Sequence, residues 1–247
     1  VILRETWDYH LRLDEFLAWV ERVSTVTRLL NPPSIVRWNA HKGYLRDLEQ
    51  RGIPIIPTIW LAAGTRANFA ALMQGADWQK AVIKPTVSAS AFETRLFTPA
   101  DGEQAQAHLD RLLPTRDLMM QEFLSSVLGY GERSLMFIEG QFTHSVRRSE
   151  PFRDDDLPNP TLHADATEEE IAFARSVLAT LPETPLYARV DIALDNSDRL
   201  CLMELELIEP SLFFELSPEA AGVMAGAIER GLLADPKVGT YLLNKQK

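Results

Sequence analysis

Three carboxylates and an arginine recur at alternate positions in two short apolar segments near the end of the chain. The first segment is Tyr187-Ala188-Arg189-Val190-Asp191-Ile192-Ala193-Leu194, and the second runs from Arg199 to Leu207, with Asp195-Asn196-Ser197-Asp198 between them. Period two makes each a strand, with Arg189 and Asp191 on one face of the first and Glu204 and Glu206 on one face of the second. An even turn pairs Asp191 with Leu202, Arg189 with Glu204 and Tyr187 with Glu206, which places all the charged side chains together and the apolar set behind them. An odd turn splits them across the sheet. Acids are depleted in strands and repel when clustered. A divalent cation removes that conflict, because Mg²⁺ takes hard carboxylate oxygens and completes its shell with water and phosphate. Asp191, Glu204 and Glu206 therefore read as metal ligands, against the plainer alternative of a solvated sheet face.

Cations and polar strand ends supply the rest. Lys84 leaves the apolar strand Ala81–Pro85 just before a loop of small residues, Thr86 to Ala91, a placement that suits phosphate contact; a lysine stem snorkelling along apolar surface is the alternative. Lys42 carries less weight alone. Gln121-Glu122-Phe123-Leu124 closes another strand and offers backbone groups to an adenine edge, unless it is an ordinary strand end. Glu132 follows a glycine-bounded loop. Arg147 and Arg148 are the best anion-binding pair, with a surface pair as the alternative. Cys201 is the one cysteine, so no internal disulfide forms, and its hydrophobic setting reads as a buried thiol rather than a nucleophile.

Positioning these residues requires mixed elements. Val1-Ile2-Leu3 reads as a short strand, Trp7-Asp8-Tyr9 as the loop after it, and Leu13, Phe16, Leu17, Val20 and Val23 as a helix face. A start inside an element suggests that sequence precedes Val1. Pro32 and Pro33 mark a break. Asn39 is expected to cap a helix that buries Tyr44, Leu45 and Leu48 and stops at Gly52. An extended edge at Ile53–Thr58 and a helix from Thr65 to Gln74 come next, then a helix from Glu103 to Leu113 and a strand from Leu118 to Leu124. A hairpin turns at Glu139-Gly140. The polar, proline-broken stretch from Glu150 to Ala166 reads as an exposed, mobile loop. Thr167 and Glu170 form a capping box, and Ser217-Pro218 opens a last helix. The class is α+β with an α/β fragment at the front.

With 25 basic and 35 acidic residues the net charge is −10. That field repels nucleic acid, and no basic stripe overcomes it. No apolar stretch approaches a bilayer span, and without disulfides the cytoplasm is the default location.

Taken in order, Asn39-Ala40-His41-Lys42, Val82-Ile83-Lys84-Pro85 with its small-residue loop, Gln121-Glu122-Phe123, Gly131-Glu132, Arg147, Asp191 and Glu204-Leu205-Glu206 resemble the ATP-grasp superfamily, in its glutathione-synthetase-like branch. Within it, Arg4 to Tyr9 and Trp38 to Lys42 look most like the cyclo-ligases of cycloserine biosynthesis and their relatives. The resemblance implies an ATP-grasp fold, two α+β lobes enclosing ATP. Residues 1–30 would be the remnant of an α/β pre-ATP-grasp substrate domain, 31–125 the small lobe with a linker helix, and 126–247 the large lobe with the metal site.

Lys42 and Lys84 would contact phosphates, with Ser88 and Ser90 in the closing loop. Gln121, Glu122, Phe123 and Leu124 would hold adenine, with Glu132 on the ribose. Asp191, Glu204 and Glu206 would hold two Mg²⁺ ions, with Mn²⁺ as a substitute. Arg147 would stabilise the phosphoryl group in transfer, Arg189 would steady an acyl phosphate, and Trp7, Asp8, Tyr9 and Arg148 would meet substrate. Two departures stand out: the family loop is glycine-rich whereas Ser88-Ala89-Ser90-Ala91 has no glycine, and Glu206 stands where the family has Asn. The implied activity is an ATP- and Mg²⁺-dependent carboxylate–amine ligase working through an acyl phosphate on small-molecule substrates, in a family that is often dimeric. The alternatives are a nucleotide-binding module without ligase activity and a small-molecule kinase.

Overall fold

The computed structural model describes residues 1–148 and 161–233 and is built on two antiparallel sheets. Much of the stretch expected as a mobile loop, residues 149–160, lies outside the described residues.

The front of the chain is a strap rather than a strand. Ile2 makes one parallel bridge to Leu30, and helix α1 (Leu13–Val26) packs Val20 with Leu3, Tyr9, Val36 and Ala40. Pro33 does not break the chain but occupies the first turn of α2 (Pro33–Asn39), where its missing N–H costs nothing. Asn39, expected as a cap, is instead the last residue of α2. Its Nδ2 donates to Leu205 O at 2.7 Å and its Oδ1 accepts from Leu207 N at 2.9 Å. Helix α3 (Tyr44–Gln50) starts after Gly43.

The smaller sheet follows: β1 (Thr58–Leu61), α4 (Phe69–Ala76), β2 (Ala81–Pro85), β3 (Arg95–Phe97), α5 (Gly102–Leu112) and β4 (Leu118–Glu122), with strand order β1-β4-β2-β3. Asn68 caps α4, accepting from Ala71 N at 2.8 Å. Phe69, Met73, Ile83, Phe97 and Leu109 form the core between this sheet and its two helices.

The larger sheet comprises β5 (Glu132–Ile138), β6 (Gln141–Arg148), β7 (Thr161–His163), β8 (Tyr187–Leu194) and β9 (Leu200–Glu206), in the order β7-β6-β5-β8-β9. Glu139 and Gly140 both have positive φ, 48° and 74°, the conformation a two-residue hairpin needs. Helix α6 (Glu168–Leu178) carries the expected capping box between Thr167 and Glu170. Its Ile171, Ala174 and Val177 pack under Leu135, Phe137, Val190 and Ile192.

Ile35, Tyr44, Leu45, Leu48, Ile53 and Ile55 belong to this same core. Helices α2 and α3 therefore share the larger sheet's core, which Met119 and Trp60 of the smaller sheet also reach. The opposite face of the large sheet has three zones along its strands. Helix α7 (Pro218–Leu233) covers Met136, Ile138 and Tyr187 at one end. Ala193, Cys201, Leu124 and Val127 form an apolar cluster at the other. The charged residues lie between.

The register of β8 and β9 departs from expectation. Leu194 pairs with Leu200 across an odd connection, Asp195 to Arg199, which alone would put the acids on opposite faces. A β-bulge between Asp191 and Ile192 leaves Met203 unpaired on β9 and shifts the register by one more residue. The two odd steps cancel, so Asp191 lies opposite Glu204 and Arg189 opposite Glu206.

Candidate active site

On this face every carboxylate has a cationic neighbour. Asp191 is fully buried and accepts a forked pair from Arg189, Nε to Oδ1 at 2.9 Å and Nη2 to Oδ2 at 2.9 Å. Arg189 Nη2 also donates to Glu206. Arg148 Nη2 donates to Asp191 Oδ2 at 3.2 Å and to Glu132. From the other side, Lys42 Nζ reaches Glu204 Oε1 at 2.5 Å and Ser88 O at 3.2 Å. Lys84, on β2, faces Glu204, Glu132 and Asp191 as well. Both lysines thus approach the carboxylate face, one from the α2–α3 turn and one from the smaller sheet.

The electrostatics follow from burial set against pairing. Burial works against ionisation of Asp191, but Arg189 and Arg148 overcome it and hold its carboxyl below the usual range. Glu204 is lowered in the same way by Lys42 and Lys84. Burial wins at Glu132, which is raised. It also wins at Glu206, which is pushed up to about 7 despite Arg189, with Glu204 and Asp191 adding repulsion. Burial lowers Lys84, against the attraction of Glu204.

Sharing a face is not the same as gripping an ion. Among the described residues no three His, Cys, Asp or Glu side chains converge as a metal cage. The expected convergence of Asp191, Glu204 and Glu206 is replaced by ion pairs, because each carboxylate turns to the nearest ammonium or guanidinium rather than to another acid. The donor set still fits a hard cation: carboxylate oxygens on one rigid sheet face, one of them raised to about 7.

Arg147 does not join this set. Opposite pairs share a face, and Arg147 pairs with Arg133 whereas Arg148 pairs with Glu132. The guanidinium of Arg147 turns to the backbone, Nε to Tyr130 O at 2.9 Å and Nη2 to Gly129 O. Arg148 takes the place expected for it, and its Nε is a buried donor without a partner among the described residues. Glu132, expected on a ribose, is also drawn into the ionic cluster.

The expected adenine segment sits at the apolar end. Glu122 N donates to Pro57 O and Phe123 N to Lys80 O. Gln121 is buried and donates to Thr58 Oγ1 at 3.0 Å, so its side chain is committed to the sheet. Phe123, Leu124 and the bulged Met203 meet in one cluster. Asn196, unremarked in the sequence beyond its turn, ties this segment to the β8–β9 connection: Nδ2 donates to Glu122 Oε1 at 2.7 Å, and Oδ1 accepts from Ser125 N at 3.2 Å. A polar tip in a turn carries no signal of its partner.

The glycine-free loop adopts the left-handed region without glycine. Ser90, Ala91 and Glu93 have φ of 50°, 55° and 54°, each costing about 1–2 kcal/mol. Packing holds them there. Phe92 packs on His10 with ring centroids 5.0 Å apart and planes tilted by 52°, and lies under Arg116. Glu93 pairs with Arg111 while its carbonyl meets His108 Nε2 at 3.1 Å. Ser88 is buried against Pro85 O. Of the strap residues, Tyr9 is buried and faces Glu209, Glu204 and Glu206. Trp7 is 52% exposed and bonds Glu209 O at 3.3 Å. Asp8 turns outward to Arg12 at 2.7 Å, away from the site.

Over 251 residues the chain is 33% identical to the cycloserine biosynthesis protein DcsG of Streptomyces lavendulae, an alignment spanning 94% of this chain and 83% of DcsG. The chain belongs to the DcsG family. The family model for the N-terminal domain of D-cycloserine synthetase DcsG matches residues 1–31, the strap that carries Trp7 and Tyr9. The crystal structure of D-cycloserine synthetase DcsG superposes with a TM-score of 0.83 at 32% identity, covering 93% of this chain and 83% of that one. The ATP-grasp ligase PsnB, solved with a phosphomimetic precursor, Mg and ADP, matches with a TM-score of 0.62 at 16% identity over 90% of this chain and 69% of its own. D-alanine–D-alanine ligase from Bacillus anthracis with ATP matches with a TM-score of 0.59 at 14% identity over 77% and 64%. This DcsG-family chain therefore has the ATP-grasp fold and is an ATP-grasp ligase. No helix among its described residues is long and apolar enough to cross a membrane.

Proposed function

We propose that the chain is an ATP- and Mg²⁺-dependent carboxylate–amine ligase that forms an acyl phosphate on a small amino-acid-type substrate and then an amide-like bond. The observation that carries this is the approach of Lys42 and Lys84 to one carboxylate face, with Lys42 already on Glu204 at 2.5 Å. Two lysines beside three acids match what a metal-bound triphosphate presents, negative oxygens beside a divalent cation. Asp191, Glu204 and Glu206 would hold the metal, which when bound neutralises phosphate oxygens and acts as a Lewis acid.

The protein's own groups then position and neutralise. Lys42 and Lys84 hold phosphates against the sheet. Phe123, Leu124 and Met203 offer an apolar wall for the base. Arg148, with a buried N–H unpartnered among the described residues, faces the charge that spreads as the phosphoryl group moves to the substrate carboxylate. Arg189, fixed by Asp191, lies next to the resulting acyl phosphate. The amine attacks the acyl carbon, phosphate leaves with the bonding electron pair, and the amine proton is released. No protein nucleophile is needed, and Cys201, with its thiol pushed up to about 12 by burial, is unsuited to be one.

The test supplies pairs of amino acids in both configurations with MgATP, includes D-cycloserine formation in the screen because of the relative's name, and follows ADP. The substrate carboxylate is labelled with ¹⁸O. Transfer of one label to inorganic phosphate, dependent on both acid and amine, is expected. ATP binding with no ADP from any pair would indicate a nucleotide-binding module; a stable phosphorylated product would indicate a kinase.

A further inference from the structure

Just beyond Glu206 the chain is held with unusual completeness. Four consecutive carbonyls each accept from a different side chain: Ile208 O from Tyr187 Oη at 2.7 Å, Glu209 O from Trp7 Nε1 at 3.3 Å, Pro210 O from Arg4 Nη1 at 3.0 Å and Ser211 O from Arg189 Nη1 at 3.3 Å. Tyr187 Oη also lies 2.8 Å from Leu3 O, so its one proton is shared between the strap and this segment. In the middle of this fixed backbone, the Glu209 carboxylate has no hydrogen-bond or ion-pair partner among the described residues. The Tyr9 hydroxyl, which feels Glu209 more strongly than any other charge, is likewise unpartnered. Thr6 Oγ1, in the same strap, is buried and unpaired too.

We propose that Glu209, flanked by the Tyr9 hydroxyl, anchors the ammonium group of the amino-acid substrate. A rigidly presented acid without a partner, at the edge of the charged face, is a preorganised acceptor for a cation. The groups facing it are Glu206 and Glu204 from β9, Lys42 from the turn before α3, Arg189 and Tyr187 from β8, and Tyr9 from the strap. The two cations among them are already engaged, Lys42 with Glu204 and Arg189 with Asp191 and Glu206. Burial, chiefly, and Glu206 push the Glu209 carboxyl up to about 8, the mark of an acid short of positive charge, and an incoming ammonium favours its ionised form. Three residues span at most about 10 Å, which places the anchored nitrogen within one small amino acid's length of the carboxylate face.

This inference rests on the ligase reading, and its test separates the two. Thermal shift is measured with Mg²⁺ and AMP-PNP, then with a panel of free D- and L-amino acids and their N-acetyl derivatives added at 10 millimolar or roughly that level, in keeping with ordinary millimolar substrate affinities. The ligase reading requires a shift with Mg²⁺–AMP-PNP alone; without one, that reading fails. Given that shift, the wild type is expected to show a further shift with at least one free amino acid and none with its N-acetyl form. Glu209→Gln should keep the nucleotide shift and lose the amino-acid shift, equivalent to at least a tenfold weaker affinity, while Glu209→Asp should keep part of it. Should Glu209→Gln fail to fold, Tyr9→Phe should weaken the amino-acid shift alone. An unchanged amino-acid response in Glu209→Gln, equal binding of N-acetyl forms, or nucleotide binding with no amino-acid response at all would overturn the anchor.

Discussion

Replacing Arg189 with Met should expose how far this face depends on charge balance. Arg189 is 4% exposed and Asp191 fully buried, and the pair is joined by contacts of 2.9, 3.2 and 2.9 Å. Removing one partner of such a pair leaves a buried charge uncompensated, a loss of about 3–5 kcal/mol. Arg148 stays within 3.2 Å of Asp191 Oδ2 and offsets part of it, so the lower end, about 3 kcal/mol at pH 8, is expected. The pH dependence has a definite sign. Without Arg189, the folded-state carboxyls of Asp191 and Glu206 rise above their unfolded values. An acid raised on folding stabilises at low pH, and that stability is lost as pH climbs through the folded value. Glu206 already sits at about 7, so by pH 5.5 protonation should reduce the loss to about 2 kcal/mol or less. Urea denaturation followed by tryptophan fluorescence at the two pH values measures both numbers. A loss below about 1 kcal/mol at pH 8, or an equal or larger loss at pH 5.5, would refute the reasoning.

Other consequences are simpler to check. Thr167→Ala removes the side chain that accepts from Glu170 N at 3.2 Å and should lower stability by about 1 kcal/mol in the same denaturation assay. Cys201, buried with its thiol pushed up to about 12, should react with a thiol reagent only after urea unfolds the chain. Lys84→Met, which takes away one of the two lysines facing Glu204, should weaken Mg²⁺–AMP-PNP binding at least tenfold by calorimetry, an effect of about 1.4 kcal/mol or more.

Period-two alternation on two apolar strands made the charged hairpin legible, and the capping box at Thr167 and the turn at Glu139-Gly140 were local enough to read directly. The pairing of Asp191 was not. Connection length and bulge each move the register by one residue, and nothing at Met203 announces that it will be left out of the ladder. Arg147 and Arg148 are neighbours of the same type, so only the partner strand decides which enters the cleft. Helices α2 and α3 are too short to be specified by periodicity. Tertiary bonds fix them, such as those of Asn39 and the Leu205 N–H donated to Tyr44 Oη at 2.9 Å. The composition of the loop after Ser88 likewise conceals the three left-handed residues that Phe92 and Glu93 hold in place.

Calorimetric titration of AMP-PNP with Mg²⁺ and with a chelator, in wild type and in Glu204→Gln, probes the nucleotide site most directly. If the lysines and carboxylates together receive a metal-bound triphosphate, Mg²⁺ should tighten wild-type binding at least a hundredfold, about 2.7 kcal/mol. Glu204→Gln should abolish most of that gain while keeping the fold. Equal affinity with and without Mg²⁺, or a Glu204→Gln protein that gains as much as wild type, would contradict the account.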